Sequence, residues 1–162
     1  MGFGMVESVA AVVLLVKDDY ALVIRRAIID GDPWSGQIGL PGGHVEKGET
    51  SREAARRECI EEVGIDPKIQ SSIGIFETHI AGIAVEAFLG TGMIDEAHVN
   101  SPEVSDVILI RLSDIRRVGN EYHCVLLGKD VIWGLTYRIM SAFFEGRNPD
   151  TYERRRSYSA ED

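Results

Sequence analysis

Residues 43–65 of the chain, GHVEKGETSREAARRECIEEVGI, decide the fold. Thr50 and Glu53 have the Thr-x-x-Glu spacing of a capping box, in which each side chain accepts a hydrogen bond from the backbone of the other residue. Gly64 suits the left-handed residue that closes a helix. The sequence therefore predicts a helix over residues 51–63.

The predicted helix carries three glutamates on one side. Glu58, Glu61 and Glu62 stand at positions i, i+3 and i+4, where like charges on an isolated helix repel by about 0.2–0.5 kcal/mol per pair. Mg²⁺ would relieve this repulsion, because it binds carboxylate oxygens and shares its other positions with water and substrate phosphates. A solvated acidic helix face is also typical of such a cluster, so the glutamates alone leave both interpretations open.

The wider spacing of this stretch favours the metal site. Gly43, Glu49 and residues 57–65 resemble the Nudix box, Gly-x5-Glu-x7-Arg-Glu-U-x-Glu-Glu-x-Gly-U, in which U is a bulky aliphatic residue. Every fixed glycine, glutamate and arginine is present, and Cys59 at the first U position is the one departure. Because free cysteine packs as a small hydrophobic residue, we expect Cys59 to loosen helix packing without affecting the chemistry.

The resemblance implies both a fold and a reaction. The fold is the α/β Nudix fold, an α/β/α sandwich with a central mixed sheet, the box helix on one side and the C-terminal helix on the other. The reaction is hydrolysis of a diphosphate bond with Mg²⁺, or with Mn²⁺ as a substitute. Arg57 would orient Glu58, and Glu49 would brace the loop. The residues that the family pattern assigns to the metal are Glu58, Glu62, Glu61 in support, and the carbonyl of Gly43.

An acidic residue after the box is a second candidate for the general base. Residues 100–104 resemble the family segment in which an acid faces the metal cluster, and Asp95, Glu96 and Glu103 are the candidates. Glu103 is preferred because it enters a predicted strand, which holds a side chain more rigidly than a loop tip does. A surface role for Glu103 stays open, and so does the choice of base between it and a box glutamate.

A second resemblance concerns the substrate. Residues 36–43 (GQIGLPGG) and 132–136 (IWGLT) are similar to segments of the coenzyme A diphosphatase branch of the Nudix family. Arg26 matches the arginine of a further branch motif, whereas Ala27 stands where that motif has serine. The resemblance implies that coenzyme A or acyl-coenzyme A is cleaved, with the substrate bound by Arg26, Gly42 and Gly43. Because neighbouring strand residues face opposite sides, only one of Arg25 and Arg26 can face the site.

The departure at Ala27 keeps other substrates open. These are ADP-ribose, another nucleotide sugar and a nucleoside triphosphate. An alternative of another class is a Nudix-fold module that senses a nucleotide without cutting it. Such modules typically lose a box glutamate, and because this chain retains all of them, the sequence favours an enzyme.

The composition bounds the class of protein and its partners. The chain has 162 residues, of which 44% are hydrophobic and 27% charged, as expected for one soluble domain. A net charge of -9 argues against nucleic acid as a partner, and residues 8–16 are too short to span a membrane. With only two cysteines, Cys59 and Cys124, we expect no disulfide and a cytoplasmic location. The expected partner is a small nucleotide diphosphate, and a homodimer stays open.

Patterning predicts the remaining elements. Strands are predicted at residues 8–16, 20–26, 37–40, 69–79, 83–91, 104–111 and 122–127. Besides the box helix, we predict a short helix at 112–118 and a last helix at 130–145, capped by Asp130. The Nudix domain is predicted to cover residues 1–146, followed by a polar, poorly ordered tail at 147–162.

Overall fold

The computed structural model describes residues 8–146, which contain nine strands and two α-helices. The strands are β1 (Ala10–Lys17), β2 (Tyr20–Arg26), β3 (Ile38–Gly39), β4 (Gly42–His44), β5 (Lys68–Glu77), β6 (Ala84–Thr91), β7 (Val104–Arg111), β8 (Arg116–Val118) and β9 (Glu121–His123). The helices are α1 (Ser51–Val63) and α2 (Gly134–Glu145). Three 3₁₀ turns lie at Ile94–Glu96, Leu112–Asp114 and Val125–Leu127.

Strand β1 lies at the centre of the main sheet. The sheet runs in the order β3-β2-β1-β6-β5, and β7 pairs with β2 along its whole length, from Tyr20 to Arg26. β1 is parallel to β6 and antiparallel to β2, so the sheet is mixed. Val13, Leu14 and Leu15 are fully buried, because the side chains of β1 alternate between two covered faces.

Each face of the sheet is covered by one α-helix. Helix α1 packs Ala55, Cys59 and Val63 against one face. Helix α2 packs Ile139 and Met140 against the other, together with its neighbouring aromatic residues. The predicted α/β/α sandwich around a mixed sheet is therefore confirmed, and Cys59 is fully buried within the first core.

The capping residues set both ends of α1. The amide of Glu53 donates to the Thr50 hydroxyl at 3.1 Å, and the amide of Thr50 donates to the Glu53 carboxylate at 2.9 Å. At the other end, Gly64 has φ 72° and donates its N–H to the Ile60 carbonyl. The helix predicted at residues 51–63 is confirmed at both boundaries.

The segment after β7 was predicted incorrectly in two places. Instead of a helix at 112–118, a 3₁₀ turn at Leu112–Asp114 is followed by β8, which pairs with β9. Gly119, with φ 62°, allows the tight turn between these two strands. The strand predicted at 122–127 ends at His123, and a 3₁₀ turn follows it.

The last helix begins later than predicted. Asp130 does not cap it, because its carboxylate is ion-paired with Arg25 of β2. Helix α2 starts at Gly134, after the N-cap residue Trp133. Its buried residues include Thr136 and Ile139, so the predicted core-facing stripe is present over the shorter helix.

The predicted tail at residues 147–162 lies outside the described residues, as do residues 1–7 of the predicted domain. Within residues 8–146, neither helix has the length and apolar character needed to cross a membrane. Cys59 and Cys124 are free and buried.

Candidate active site

The close approach of β4 to α1 forms the floor of the site. Gly42 and Gly43 belong to β4 and pair with Val12 and Ala11 of β1. A Cβ on Gly42 would lie 2.2 Å from the Ala11 carbonyl oxygen, and a Cβ on Gly43 would lie 1.7 Å from a Glu58 carboxylate oxygen. Glycine at position 42 therefore allows β4 to lie against β1, and glycine at position 43 allows it to lie against the Glu58 carboxylate of α1.

Glu62 is a carboxylate held in the interior. It is 1% exposed, and the Gly42 N–H donates to its Oε1 at 3.0 Å. Its Oε2 is buried and finds no hydrogen-bond partner among residues 8–146. Burial raises the pKa of Glu62 to about 8, although the Gly42 N–H acts in the opposite direction. An unpartnered buried oxygen of this kind destabilises the fold unless a cation binds it.

Glu62 belongs to a group of three carboxylates. Glu58, Glu62 and Glu103 each place an oxygen within 4.8 Å of the others. Burial, followed by the neighbouring Glu61, raises the pKa of Glu58 to about 7. The Ala27 N–H donates to the Glu103 carbonyl at 2.9 Å and holds that residue at the start of β7. Three hard oxygen donors around an unpartnered buried oxygen suit Mg²⁺ or Mn²⁺.

The structure does not bring Glu61 into this group. Its side chain is 55% exposed, and its Oε2 accepts a hydrogen bond from Arg57 at 3.3 Å. Glu61 lies beside Glu58, whose pKa it raises, but the carboxylates that lie within 4.8 Å of one another are those of Glu58, Glu62 and Glu103. The metal role of Glu61 stays a prediction, as does that of the Gly43 carbonyl.

Arg57 ties the box loop to the helix. Its guanidinium donates two hydrogen bonds to Glu49, at 2.7 and 3.0 Å, and one to the His44 carbonyl. The hydrogen bond from Arg57 is the largest cause that lowers the pKa of Glu49 to about 2. Arg57 also donates to Glu58 Oε1 at 2.8 Å. The orienting role of Arg57 and the bracing role of Glu49 stay predictions.

A cavity of about 460 Å³ opens beside the carboxylates. Glu58, Glu103, Gly42, Gly43 and Thr136 of α2 are among the residues that line it. Residues 29–34 of the β2–β3 loop also line it. The cavity is large enough for a small organic ligand, and its lining includes acidic side chains.

The family model for the NUDIX domain matches residues 6–123 of this chain. The chain belongs to the Nudix family. The predicted family resemblance is thereby confirmed.

Related Nudix proteins share parts of the chain. An ADP-ribose pyrophosphatase of Methanocaldococcus jannaschii is 41% identical over 71 residues, which are 44% of this chain and 40% of the relative. A putative 8-oxo-dGTP diphosphatase of Bacillus subtilis is 35% identical over 68 residues, 42% of each chain. The chain thus spans less than half the length of these two relatives.

One solved structure shows the same fold over most of the chain. It is a bifunctional NMN adenylyltransferase/ADP ribose pyrophosphatase from Francisella tularensis, in complex with AMP and a manganese ion. The likeness has a TM-score of 0.61 at 20% identity and covers 86% of this chain and 41% of that one. None of these three proteins is named for coenzyme A, so the branch assignment stays a prediction.

The two arginines at the end of β2 have different surroundings. Arg25 is ion-paired with Asp106 and Asp130, whereas Arg26 lines the cavity. The Arg26 guanidinium is held by Asp32, with Nη2 2.8 Å from Oδ2. Sequence reasoning missed Asp32 and the neighbouring Trp34. An Asp-Pro-Trp segment in the loop before the glycine-rich stretch was the available signal.

The raised pKa of Glu62 predicts how stability depends on pH. Its folded pKa of about 8 exceeds its ordinary value of 4.5, so the metal-free protein loses stability as pH rises through that window. We expect a lower thermal midpoint at about pH 8.5 than at about pH 6, and a smaller fall in Glu62→Gln, which cannot ionise. Millimolar Mg²⁺ should raise the wild-type midpoint at the higher pH by mass action.

Differential scanning calorimetry in chelator and then in Mg²⁺ measures both effects. Groups other than Glu62 titrate in both the wild type and Glu62→Gln. The difference between the two proteins in the pH dependence of the thermal midpoint therefore reports on the Glu62 carboxylate. The same pH dependence in both proteins would contradict the burial of Glu62 as an unpaired acid.

Proposed function

We propose that this chain is a divalent-metal-dependent pyrophosphohydrolase that cleaves the diphosphate bond of a nucleoside diphosphate linked to another group. The group formed by Glu58, Glu62 and Glu103, next to the cavity, carries this proposal. Carboxylates repel a diphosphate, so a substrate of this class can lie beside them only when cations reverse the local charge. The unpartnered oxygen of Glu62 supports a cation at this place.

The three carboxylates would hold Mg²⁺ or Mn²⁺. The chemistry that such an ion supplies is neutralisation of phosphate oxygens and a lower pKa for water. Glu62 is fixed by the Gly42 N–H and Glu58 by Arg57, so neither carboxylate has to reorganise during the reaction. This preorganisation is the contribution of the box loop and α1.

Two of the three carboxylates can also take a proton. Glu58 and Glu103 line the cavity, whereas Glu62 lies behind them. A general base must reach the attacking water, which favours Glu58 or Glu103 in that role. A loss in Glu103→Gln larger than in Glu58→Gln would favour Glu103 as the base.

Within this class we propose a nucleotide sugar such as ADP-ribose as the preferred substrate. The 41% identity to the Methanocaldococcus jannaschii relative, which is named ADP-ribose pyrophosphatase, supports it. The ion pair of Arg26 with Asp32 supports it as well, because ADP-ribose has no phosphate that requires an additional cation.

Coenzyme A is the second candidate. The similarity of residues 36–43 and 132–136 to that branch favours it, and Arg26 lies in the cavity wall where a 3′-phosphate would need a cation. That phosphate would have to compete with Asp32 for the guanidinium. The putative 8-oxo-dGTP diphosphatase of Bacillus subtilis keeps nucleoside triphosphates among the compounds to assay.

Removal of the metal or of one ligand tests the reaction class. We expect no activity in EDTA, recovery with Mg²⁺ or Mn²⁺, and a fall in kcat on the order of a hundredfold or more in Glu62→Gln. Glu61→Gln is the matched substitution one residue away, and its loss should be smaller because Glu61 lies outside the group. Activity that persists in chelator would sink the metal assignment.

A hydrolysis screen tests the substrate. The compounds are ADP-ribose, coenzyme A, NADH, dinucleoside polyphosphates and nucleoside triphosphates, with products identified by mass. We expect the highest kcat/KM for ADP-ribose, which should yield AMP and ribose 5-phosphate. Faster turnover of a nucleoside triphosphate would refute the substrate while leaving the metal site standing, and no turnover of any compound would favour a nucleotide-sensing module.

A further inference from the structure

Arg26 is the only arginine or lysine among the described residues that line the cavity. The carboxylates of Asp30, Asp32, Glu58 and Glu103 lie in the same lining. A substrate phosphate that is not bound by metal therefore has Arg26 as the one arginine or lysine side chain in this lining to bind.

Asp32 holds that cation in place. Its Oδ2 accepts hydrogen bonds from Arg26 Nη2 at 2.8 Å and from Nε at 3.3 Å, and its Oδ1 accepts one from the Trp34 amide at 3.0 Å. The side chains of Arg26 and Asp32 are 25% and 14% exposed. Burial acts to raise the pKa of Asp32, but the hydrogen bonds from Trp34 and Arg26 lower it below its usual value. Both oxygens of this carboxylate are thus engaged.

The loop that carries Asp32 fixes its position. The Asp32 amide donates to the Ile29 carbonyl, and the Ser35 amide donates to the Asp32 carbonyl, both at 3.1 Å. The Arg26 amide donates to the Gln37 carbonyl at 2.9 Å, which ties β2 to the far end of the same loop. Releasing Arg26 to a ligand would leave a mostly buried carboxylate unpaired beside a phosphate, which is a repulsive arrangement.

We propose that Asp32 is a specificity-determining residue, which holds Arg26 so that the cavity discriminates against nucleotides with an additional phosphate on the nucleoside ribose. The proposal rests on the proposed function, because it refines the substrate class of the same cavity. It expects dephospho-coenzyme A to be preferred over coenzyme A, and ADP-ribose over its 2′-phosphate. The negative charge of Asp32 excludes these compounds, and Arg26 would accept them once it is released.

Asp32→Asn is the informative substitution. Asparagine has the same size and retains an acceptor for the Trp34 amide, but it removes the charge that competes for Arg26. Asp30→Asn is the matched control. Asp30 is an exposed aspartate that also lines the cavity, but the ion pair of Arg26 is with Asp32. The double variant Asp32→Asn/Arg26→Ala tests whether Arg26 is the group that is released.

Isothermal titration calorimetry with 5′-AMP, 3′,5′-ADP and 2′,5′-ADP in Mg²⁺ gives the affinity for each bisphosphate relative to AMP. In Asp32→Asn we expect the affinity for at least one bisphosphate, relative to AMP, to rise by about tenfold or more, the scale of one charge-assisted contact. The gain should be absent in the double variant and much smaller in Asp30→Asn.

Several outcomes would overturn the proposal. The first is an equal change in affinity for AMP and both bisphosphates in Asp32→Asn. The second is a gain in relative bisphosphate affinity in Asp30→Asn as large as that in Asp32→Asn. The third is no measurable binding of any nucleotide by any of the proteins. A merely structural role of Asp32 in the loop would give the first of these.

The affinity ratios are measured by binding and do not require hydrolysis. Failure of the wild type to hydrolyse any diphosphate would therefore refute the proposed function, while the binding measurement would still test the role of Asp32.

Discussion

The contact between the Glu62 carboxylate and the Gly42 amide is the constraint on which the rest of the site depends. It requires the backbone of β4 to lie closely between β1 and α1, because a Cβ on Gly42 would clash with Ala11 and Val12 of β1 and a Cβ on Gly43 would clash with Glu58 of α1. It also requires β1 to change partners, from β2 at one end to β4 at the other. The pairing of β1 with β4, the position of α1 and the burial of Glu62 therefore depend on one another. The hydrogen bond from Gly42 also fixes the position of the Glu62 carboxylate.

For the proposed reaction, the distribution of charge explains how an acidic protein would bind an anionic substrate. Arg57 is ion-paired with Glu46 and Glu49 of the loop and with Glu58, and Glu58, Glu62 and Glu103 form the acidic group next to the cavity. Arg26, the cation in the described cavity wall, is held by Asp32. In the proposed reaction, the affinity for a diphosphate then comes from divalent metal at the three-glutamate group, and selectivity comes from the residues of the β2–β3 loop.

Local rules explain which elements could be predicted from the sequence. The capping box and Gly64 define α1, because the hydrogen bonds that end a helix are local. The helix predicted at 112–118 is wrong, because residues 116–118 form a strand that turns at Gly119 and pairs with β9. The last helix starts at Gly134, and Asp130, which was predicted to cap it, is ion-paired with Arg25, a residue distant in sequence.

The same distinction applies to the site. Box spacing identified Glu58 and Glu62, and strand rigidity selected Glu103, which the structure places beside them. Helical spacing grouped Glu61 with Glu58 and Glu62. It could not show that β4 lies against Glu58 and Glu62 and that Glu61 is exposed. Asp32 was missed because its pairing with Arg26 depends on the path of the loop between β2 and β3.

Locating a manganese ion by anomalous diffraction tests the central claim most directly. Crystals of the protein grown or soaked in Mn²⁺ should show an anomalous peak between Glu58, Glu62 and Glu103, with the buried Oε2 of Glu62 as a ligand, and Glu62→Gln crystals should lose or weaken it. A peak bound only by exposed carboxylates, with Glu62 Oε2 still unpartnered, would contradict the account.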